Sequence, residues 1–315
     1  MRVLVCDPIA EEGIRILEET GLKVDLKPEI SKEELARIIK DYDALIVRGR
    51  TKVTRELMER AVNLKVIGRA GSGLDNIDVE AAEEMGITVV NTPEAVADSV
   101  AELTIGLMLS LARMIPQADR SMKEGKWLKK KLKGRLLRGK TLGLIGLGNI
   151  GLRVARIAKA MGMKILITKR TPPPKEVLRE LEAEFLTLPE LLKRSDIVTL
   201  HVPLTDETYK MIGVEEFRLM KPGALLINTS RGAVLDHEAL IDALNSGRLG
   251  GAALDVYESE PPCDVRLMKL RNVVCTPHIG AQTEEAQRMA SILIAKKVVE
   301  CLNRKSRISF SRGKD

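Results

Sequence analysis

The segment TLGLIGLGNIGLRVARIAKAMGMKILIT constrains the fold of this chain more than any other stretch. Gly146, Gly148 and Gly151 form a G-x-G-x-x-G pattern within it. Alone that pattern is weak, because glycines are common in turns. Here an apolar run precedes it, an amphipathic stretch follows, and a second apolar run, KILIT, comes next. That order reads as strand, turn, helix, strand, which is the context that gives the pattern weight. Gly146 permits the tight turn, Gly148 lets backbone approach a pyrophosphate, and Gly151 lets helix and strand pack closely. The helix N-terminus then offers unpaired N–H groups and a partial positive charge to phosphates. The competing reading is a plain strand-turn-helix with packing glycines.

Folds of this kind usually place Asp or Glu about 20 residues after the loop, on the adenosine ribose hydroxyls. Lys169 and Arg170 stand there instead, with Thr171 beside them. A carboxylate would repel a 2′-phosphate, whereas two cations and a hydroxyl attract one. The pair therefore points to tolerance of, or preference for, NADP over NAD. The alternative is that both cations point into solvent.

The rest of the chain repeats the alternation. Before the glycine loop, RVLVCD is a short apolar run, LKVDLK follows the amphipathic EEGIRILEET, and ALIVRG, LKVIGRA and ITVVN are apolar runs of strand length. IVTLHV, ALLINTS, GAALDV and NVVCTP follow it. Ser31 and Glu34 make an S-x-x-E capping pattern that starts a helix. Short β-branched runs separated by helices predict parallel sheets with helices on both faces. The expected class is α/β, with two doubly wound parallel-sheet domains, the central one a Rossmann domain. One long helix from about Ser99 to Ser121 is predicted to join the segments, and an amphipathic helix from about Glu284 to Leu302 to close the chain. Two such domains predict a ligand-holding cleft.

Composition excludes several functions. At 315 residues and 44% hydrophobic content the chain suits two packed domains rather than disorder. Its net charge of +7 is spread over both signs, a mild lean toward anionic ligands. The one dense basic stretch is the terminal NRKSRISFSRGKD, and aromatics are only 2%, which argues against nucleic-acid binding. Cys6, Cys263, Cys275 and Cys301 lack metal-type spacing and read as buried thiols of a reducing cytosol. No bound metal is expected. The N-terminus lacks a signal-peptide core, and the apolar SVAELTIGLMLSLARMI carries Glu102 and Arg113 and is short for a membrane span. A cytoplasmic protein without membrane attachment is the expectation.

The chain has three histidines. His237 in LDHEAL sits at a predicted helix start and reads as solvated. His201 follows IVTL at a strand end and is placed to line a cofactor cleft. His278, between Pro277 and Gly280 after NVVCTP, is placed at the rim of a sheet, where ligands of parallel sheets collect. A satisfied loop histidine is the alternative. Glu260 precedes Pro261, which restricts its backbone, but Glu258 is its rival as a partner acid. Arg231 follows ALLINTS and suits a carboxylate clamp, a surface turn arginine being the alternative. Arg48, Arg50 and Arg69 also follow apolar runs, and Ser72 and Gly73 offer backbone N–H groups to an anion. Ordinary strand-end charge is the preferred reading for Arg50.

Taken in order, VRGRTKVT, GRAGSGLDNID, NTPEAVADSVAELTIGLML, GLGNIG, HVPLT, NTSRG, LDVYESEPP and TPHIGAQT resemble the D-2-hydroxyacid dehydrogenase family over nearly the whole chain. Within it the chain looks most like the D-3-phosphoglycerate dehydrogenase branch, in the short form without a regulatory domain. The resemblance implies Arg231 as substrate clamp, Glu260 as the carboxylate orienting a histidine, and His278 as acid/base. Gly146, Gly148, Asn149, Ile150, Gly151, Lys169, Arg170, His201, Pro203, Thr229 and Asp255 are expected around the cofactor: the resemblance puts Asp255 near the nicotinamide carboxamide, and Lys169 departs from the family, standing where it has its NAD-type acid. The resemblance assigns residues 99–283 to the NAD(P)-binding domain and 1–98 plus 284–315 to a substrate domain. Arg48, Arg69, Ser72 and Gly73 would then meet a small anionic 2-hydroxy or 2-oxo acid. The implied reaction is oxidation of 3-phosphoglycerate to 3-phosphohydroxypyruvate in serine synthesis. The alternatives are a glyoxylate or hydroxypyruvate reductase and a non-catalytic dinucleotide sensor. The long apolar helix near Ser99 is expected to pack between two subunits of a homodimer. The chain ends soon after its last helix, so feedback by serine through a regulatory domain is not expected.

Overall fold

The computed structural model describes residues 1–311. The basic terminal stretch runs on into residues 312–315, which lie outside the described residues. Two compact units divide the chain: Met1–Ala97 with the segment from Ala281 onward, and Asp98–Gly280.

The first unit holds β1 (Arg2–Val5), β2 (Lys23–Leu26), β3 (Ala44–Val47), β4 (Val66–Arg69) and β5 (Thr88–Asn91). They pair in the order β2-β1-β3-β4-β5, and every pairing is parallel. Strands covered on both faces must be apolar throughout. All four residues of β3 are accordingly buried. The helix Lys32–Ile38 starts where the capping pattern predicted, with the Ser31 hydroxyl accepting from the Glu34 N–H. The final helix, Glu284–Ser311, runs further than the apolar pattern suggested, and covers one face of this sheet. It buries Ala290, Ile294, Ala295, Val298 and Leu302 against Val3, Val5, Ala44, Ile46 and Val66. Gly68 admits it, because a Cβ there would lie 2.7 Å from Val298.

The second unit holds β6 (Thr141–Ile145), β7 (Lys164–Thr168), β8 (Glu184–Phe185), β9 (Ile197–Leu200), β10 (Ala224–Asn228), β11 (Leu249–Leu254) and β12 (Val273–Cys275). Their order is β12-β11-β10-β9-β6-β7-β8, again all parallel. Strand order reverses between β6 and β9, the switch point at which such sheets open a crevice. β8 was not visible in the sequence. It is a two-residue edge strand, too short for an apolar run.

One predicted element is corrected. The helix expected from Ser99 to Ser121 is two helices, Ala97–Ala112 and Ile115–Lys123, bent by 66°. Pro116 explains the break, since it has no N–H for the Ala112 carbonyl and its ring clashes there in a continuous helix. Met114 turns left-handed at φ 57°, and the Arg135 N–H donates to the Ala112 carbonyl at 2.8 Å. The first helix owes its apolar character to this unit's own core, where Ala101, Ile105, Leu107, Met108, Leu111 and Ala112 are buried. No single helix among the described residues is long and apolar enough to cross a membrane.

The cysteines are all free, but only Cys6 is buried, and Cys263 is exposed. The reading of four buried thiols therefore holds only at Cys6: Cys275 and Cys301 are half-buried, and Cys263 lies in the loop after β11 rather than on a strand.

Candidate active site

Register brings the site residues of the second unit to one edge. Ile145 pairs with Leu200, Leu200 with Asn228, Asn228 with Leu254 and Leu254 with Cys275. These are the last residues of five adjacent parallel strands, so whatever follows each emerges on the same side. Gly146 and His201 come one residue later, Arg231 and His278 three later, and Glu260 six later.

The glycine turn is built as its spacing requires. Gly146 has φ 92°, and a Cβ there would lie 2.3 Å from the His201 carbonyl oxygen. A Cβ on Gly151 would lie 2.7 Å from the Gly146 carbonyl oxygen, so close packing of helix on strand excludes it. A Cβ on Gly148 would meet no protein atom within 4 Å. The chain therefore needs no glycine there for its own packing, and the space it leaves is open. Gly148 caps the helix Asn149–Ala160 without a side-chain hydrogen bond, which leaves the first-turn N–H groups to a ligand. A dinucleotide pyrophosphate fits this cradle. Asn149 is exposed and Ile150 half-buried beside it.

Around the turn, the Gly146 N–H donates to the Thr168 carbonyl at 2.8 Å, which sets Lys169 next to the loop. Lys169 is half-buried, and the Arg170 side chain is 87% exposed, with the acid Glu207 at 3.9 Å. His201 is partly exposed as a residue, yet desolvation of its ring pushes the imidazole down to about 3 and keeps it neutral. Its Nε2 lies 3.1 Å from the Thr199 hydroxyl. Pro203 is exposed, and its carbonyl accepts from the Thr208 hydroxyl. Thr229 is buried and its hydroxyl meets that of Thr104 at 2.8 Å.

The acid and the histidine meet. His278 Nδ1 lies 2.6 Å from Glu260 Oε2, with the two side chains 50% and 38% exposed. The Tyr257 N–H donates to Glu260 Oε1 at 3.2 Å and fixes the other carboxylate oxygen. Glu258, the rival, faces His237 instead at 3.6 Å. His237 is not solvated as the sequence suggested, since its side chain is only 16% exposed beneath that loop. With Nδ1 held by the carboxylate, His278 presents Nε2 outward, the arrangement of an orienting acid and a general base.

Arg231 stands in the neighbouring turn. The Asn228 side-chain amide donates to its carbonyl at 2.8 Å, and its own guanidinium donates to the Ser230 carbonyl at 2.6 Å. A Cβ on Gly232 would lie 1.9 Å from the Tyr257 carbonyl carbon, so the Arg231 turn packs directly on the Glu260 loop. Asp255 is 1% exposed, and its carboxylate accepts from Thr276 Oγ1, the Ile279 N–H and the Gly280 N–H. No sequence pattern signals that last arrangement.

The remaining predicted residues belong to the first unit. Arg48 follows β3 and Arg69 ends β4, adjacent strands with Val47 opposite Arg69. Asp7, fully buried, binds the Arg48 and Thr51 N–H groups, the Thr51 hydroxyl and the Arg50 side chain. Arg50 is thus committed to shaping its own loop. The Arg48 guanidinium donates to the Pro8 carbonyl at 3.3 Å. Arg69 lies over Gly71, where a Cβ would sit 1.5 Å from its guanidinium nitrogen. Ser72 and Gly73 follow, half-buried, with the Ser72 carbonyl accepting from the Asn91 amide at 2.6 Å.

Residues 105–280 match the model of the D-isomer specific 2-hydroxyacid dehydrogenase, NAD binding domain. Over 303 residues the chain is 52% identical to a D-3-phosphoglycerate dehydrogenase of Methanocaldococcus jannaschii, covering 96% of this chain and 57% of that protein. It is 49% identical to a hydroxypyruvate reductase of Thermotoga maritima, covering 94% of this chain and 97% of the other. The crystal structure of the TT0316 protein from Thermus thermophilus superposes with a TM-score of 0.88 at 39% identity, covering 96% of this chain and 97% of that one. The chain thus spans little more than half the length of the phosphoglycerate dehydrogenases it matches.

Proposed function

The chain belongs to the D-isomer specific 2-hydroxyacid dehydrogenases, and from that premise we propose that it oxidises 3-phosphoglycerate to 3-phosphohydroxypyruvate in serine synthesis. The observation that carries the chemistry is the 2.6 Å contact of His278 with Glu260, on a loop packed against the Arg231 turn. Arg231 clamps the substrate carboxylate and fixes the C2 hydroxyl. His278 Nε2 takes the hydroxyl proton, and Glu260 stabilises the imidazolium that forms. A bound nicotinamide cofactor supplies the hydride acceptor. Gly146, Gly148, Asn149, Ile150 and Gly151 hold its pyrophosphate, and His201, Pro203 and Thr229 line its path. Lys169 and Arg170 carry the predicted acceptance of a 2′-phosphate, and thus of NADP as well as NAD.

For the substrate phosphate we propose Arg48 and Arg69, with Ser72 and Gly73 offering backbone N–H groups. Arg50 is excluded because Asp7 holds it. A hydroxypyruvate or glyoxylate reductase is the second reading, favoured by the hydroxypyruvate reductase that matches over nearly its whole length. A dinucleotide sensor would have no use for the Glu260–His278 pair. We also propose a cytoplasmic homodimer. For its contact we propose the helix Ala97–Ala112, whose Leu103 and Leu109 are only partly buried, together with the exposed apolar Ile115, Met122, Trp127 and Leu136.

Initial rates with phosphoglycerate, hydroxypyruvate and glyoxylate, each with both nicotinamide cofactors, test the assignment. Phosphoglycerate oxidation is expected, and Arg69→Ala should weaken it far more than glyoxylate reduction. Equal losses on both substrates would favour the reductase.

A further inference from the structure

Asp255 presents a question that a role beside the cofactor does not answer. Its carboxylate is 1% exposed and accepts three hydrogen bonds, all from the segment that carries His278. Oδ1 takes the Thr276 hydroxyl at 2.6 Å and the Ile279 N–H at 2.9 Å, and Oδ2 takes the Gly280 N–H at 2.9 Å. The donors bracket His278 on both sides. His278 itself has φ 53°, a left-handed conformation that non-glycine residues seldom adopt and that surrounding contacts must hold.

Other groups hold the ends of the same segment. The Ser99 hydroxyl donates to the Gly280 carbonyl at 2.6 Å, so that glycine is gripped on both its peptide groups. The Tyr257 hydroxyl donates to the Thr276 carbonyl at 2.9 Å. Gly280 is buried, and a Cβ there would lie 3.1 Å from Asp255 Oδ2. β11 therefore supplies, one residue past its end, a buried anion that replaces the ladder partners this turn has left.

We propose that Asp255 is a positioning residue: it locks the Thr276–Gly280 turn so that His278 stays against Glu260. The inference rests on reading His278 as the proton acceptor, and it gives Asp255 a role in addition to its expected place near the nicotinamide carboxamide. Asn at 255 keeps the shape but turns an amide N–H toward one of the turn's own donors, so the turn loses at least one bond.

The test uses Asp255→Asn, Thr276→Val and the conservative Thr276→Ser in the full chain. Amide hydrogen exchange of Ile279 and Gly280, followed without substrate, should quicken at least about 10-fold in Asp255→Asn. In turnover, kcat should fall while cofactor Kd stays within about two-fold, the pattern of a group acting through the reaction step. The pH profile of kcat should approach that of Glu260→Gln, and adding Asp255→Asn to Glu260→Gln should cost little more. Thr276→Val should lower kcat in the same way, and Thr276→Ser should restore it. That pair carries the test if Asp255→Asn fails to fold. Unchanged exchange at Ile279 and Gly280, or a raised cofactor Kd with kcat intact, would overturn the proposal and leave Asp255 only its place near the nicotinamide carboxamide. A wild-type chain inactive on every 2-hydroxy acid would fail the functional reading, while the exchange result would still decide the role of the turn.

Discussion

The neutral ring of His201 makes acid sensitivity of the fold predictable. Burial pushes it from 6.5 down to about 3. In the unfolded chain it titrates near ~6.5. Between those values the unfolded state binds the proton and the folded state does not. Stability is therefore full above about pH 7 and is lost as pH falls. At pH 5 the loss spans about 1.5 pH units at about 1.4 kcal/mol each, or about 2 kcal/mol. That figure hardly depends on the folded value, because at pH 5 a ring titrating anywhere below about 4 is still neutral. The perturbation is His201→Gln, which cannot take up a proton and keeps a polar group near Thr199. Urea unfolding of both proteins at pH 8 and pH 5 gives the comparison, since other titrating groups cancel in the difference. Circular dichroism is the better probe, because the single tryptophan, Trp127, is 76% exposed. The wild type should lose about 2 kcal/mol more than the variant between the two pH values. Equal losses in both would refute the neutral buried ring.

Other outcomes follow from named contacts. Gly151→Ala should cost about 1–3 kcal/mol and weaken cofactor binding, since its Cβ would press on the Gly146 carbonyl at 2.7 Å; thermal melts with and without cofactor read both. Asp7→Ala should cost about 2–4 kcal/mol, because it strands the Arg48 and Thr51 N–H groups and the Thr51 hydroxyl; chemical denaturation measures it. Lys169→Asp should shift the ratio of kcat/KM for NADP against NAD at least about 10-fold toward NAD, through charge repulsion of the 2′-phosphate; an unchanged ratio would place that cation in solvent. Glu260→Gln should lower kcat at least about 10-fold by removing the charge that stabilises the imidazolium; steady-state rates across pH show it.

Much of the fold was legible because parallel strands buried on both faces must be continuous apolar runs, as β3, β6, β9 and β10 are, whereas the edge strand β2, KVDL, has no buried residue. The glycine turn was legible because each glycine answers a separate steric demand. What escaped was what depends on tertiary context. The break at Pro116 depends on what takes up the freed Ala112 carbonyl, which is the distant Arg135 N–H. β8 has two residues and no pattern to show. The choice between Glu258 and Glu260 rested on likeness alone, and folding decides it by giving each a different histidine. Asp255 was readable as an acid at a strand end, but its grip on the His278 turn joins residues more than 20 apart in sequence.

The central claim is that the imidazole of His278, oriented by Glu260, moves the proton that accompanies hydride transfer. Stopped-flow measurement of reduced-cofactor formation in a single turnover, wild type against His278→Asn, tests it most directly. The rate should fall about 10²–10⁴-fold with cofactor affinity retained. A rate within a few-fold of wild type would contradict it.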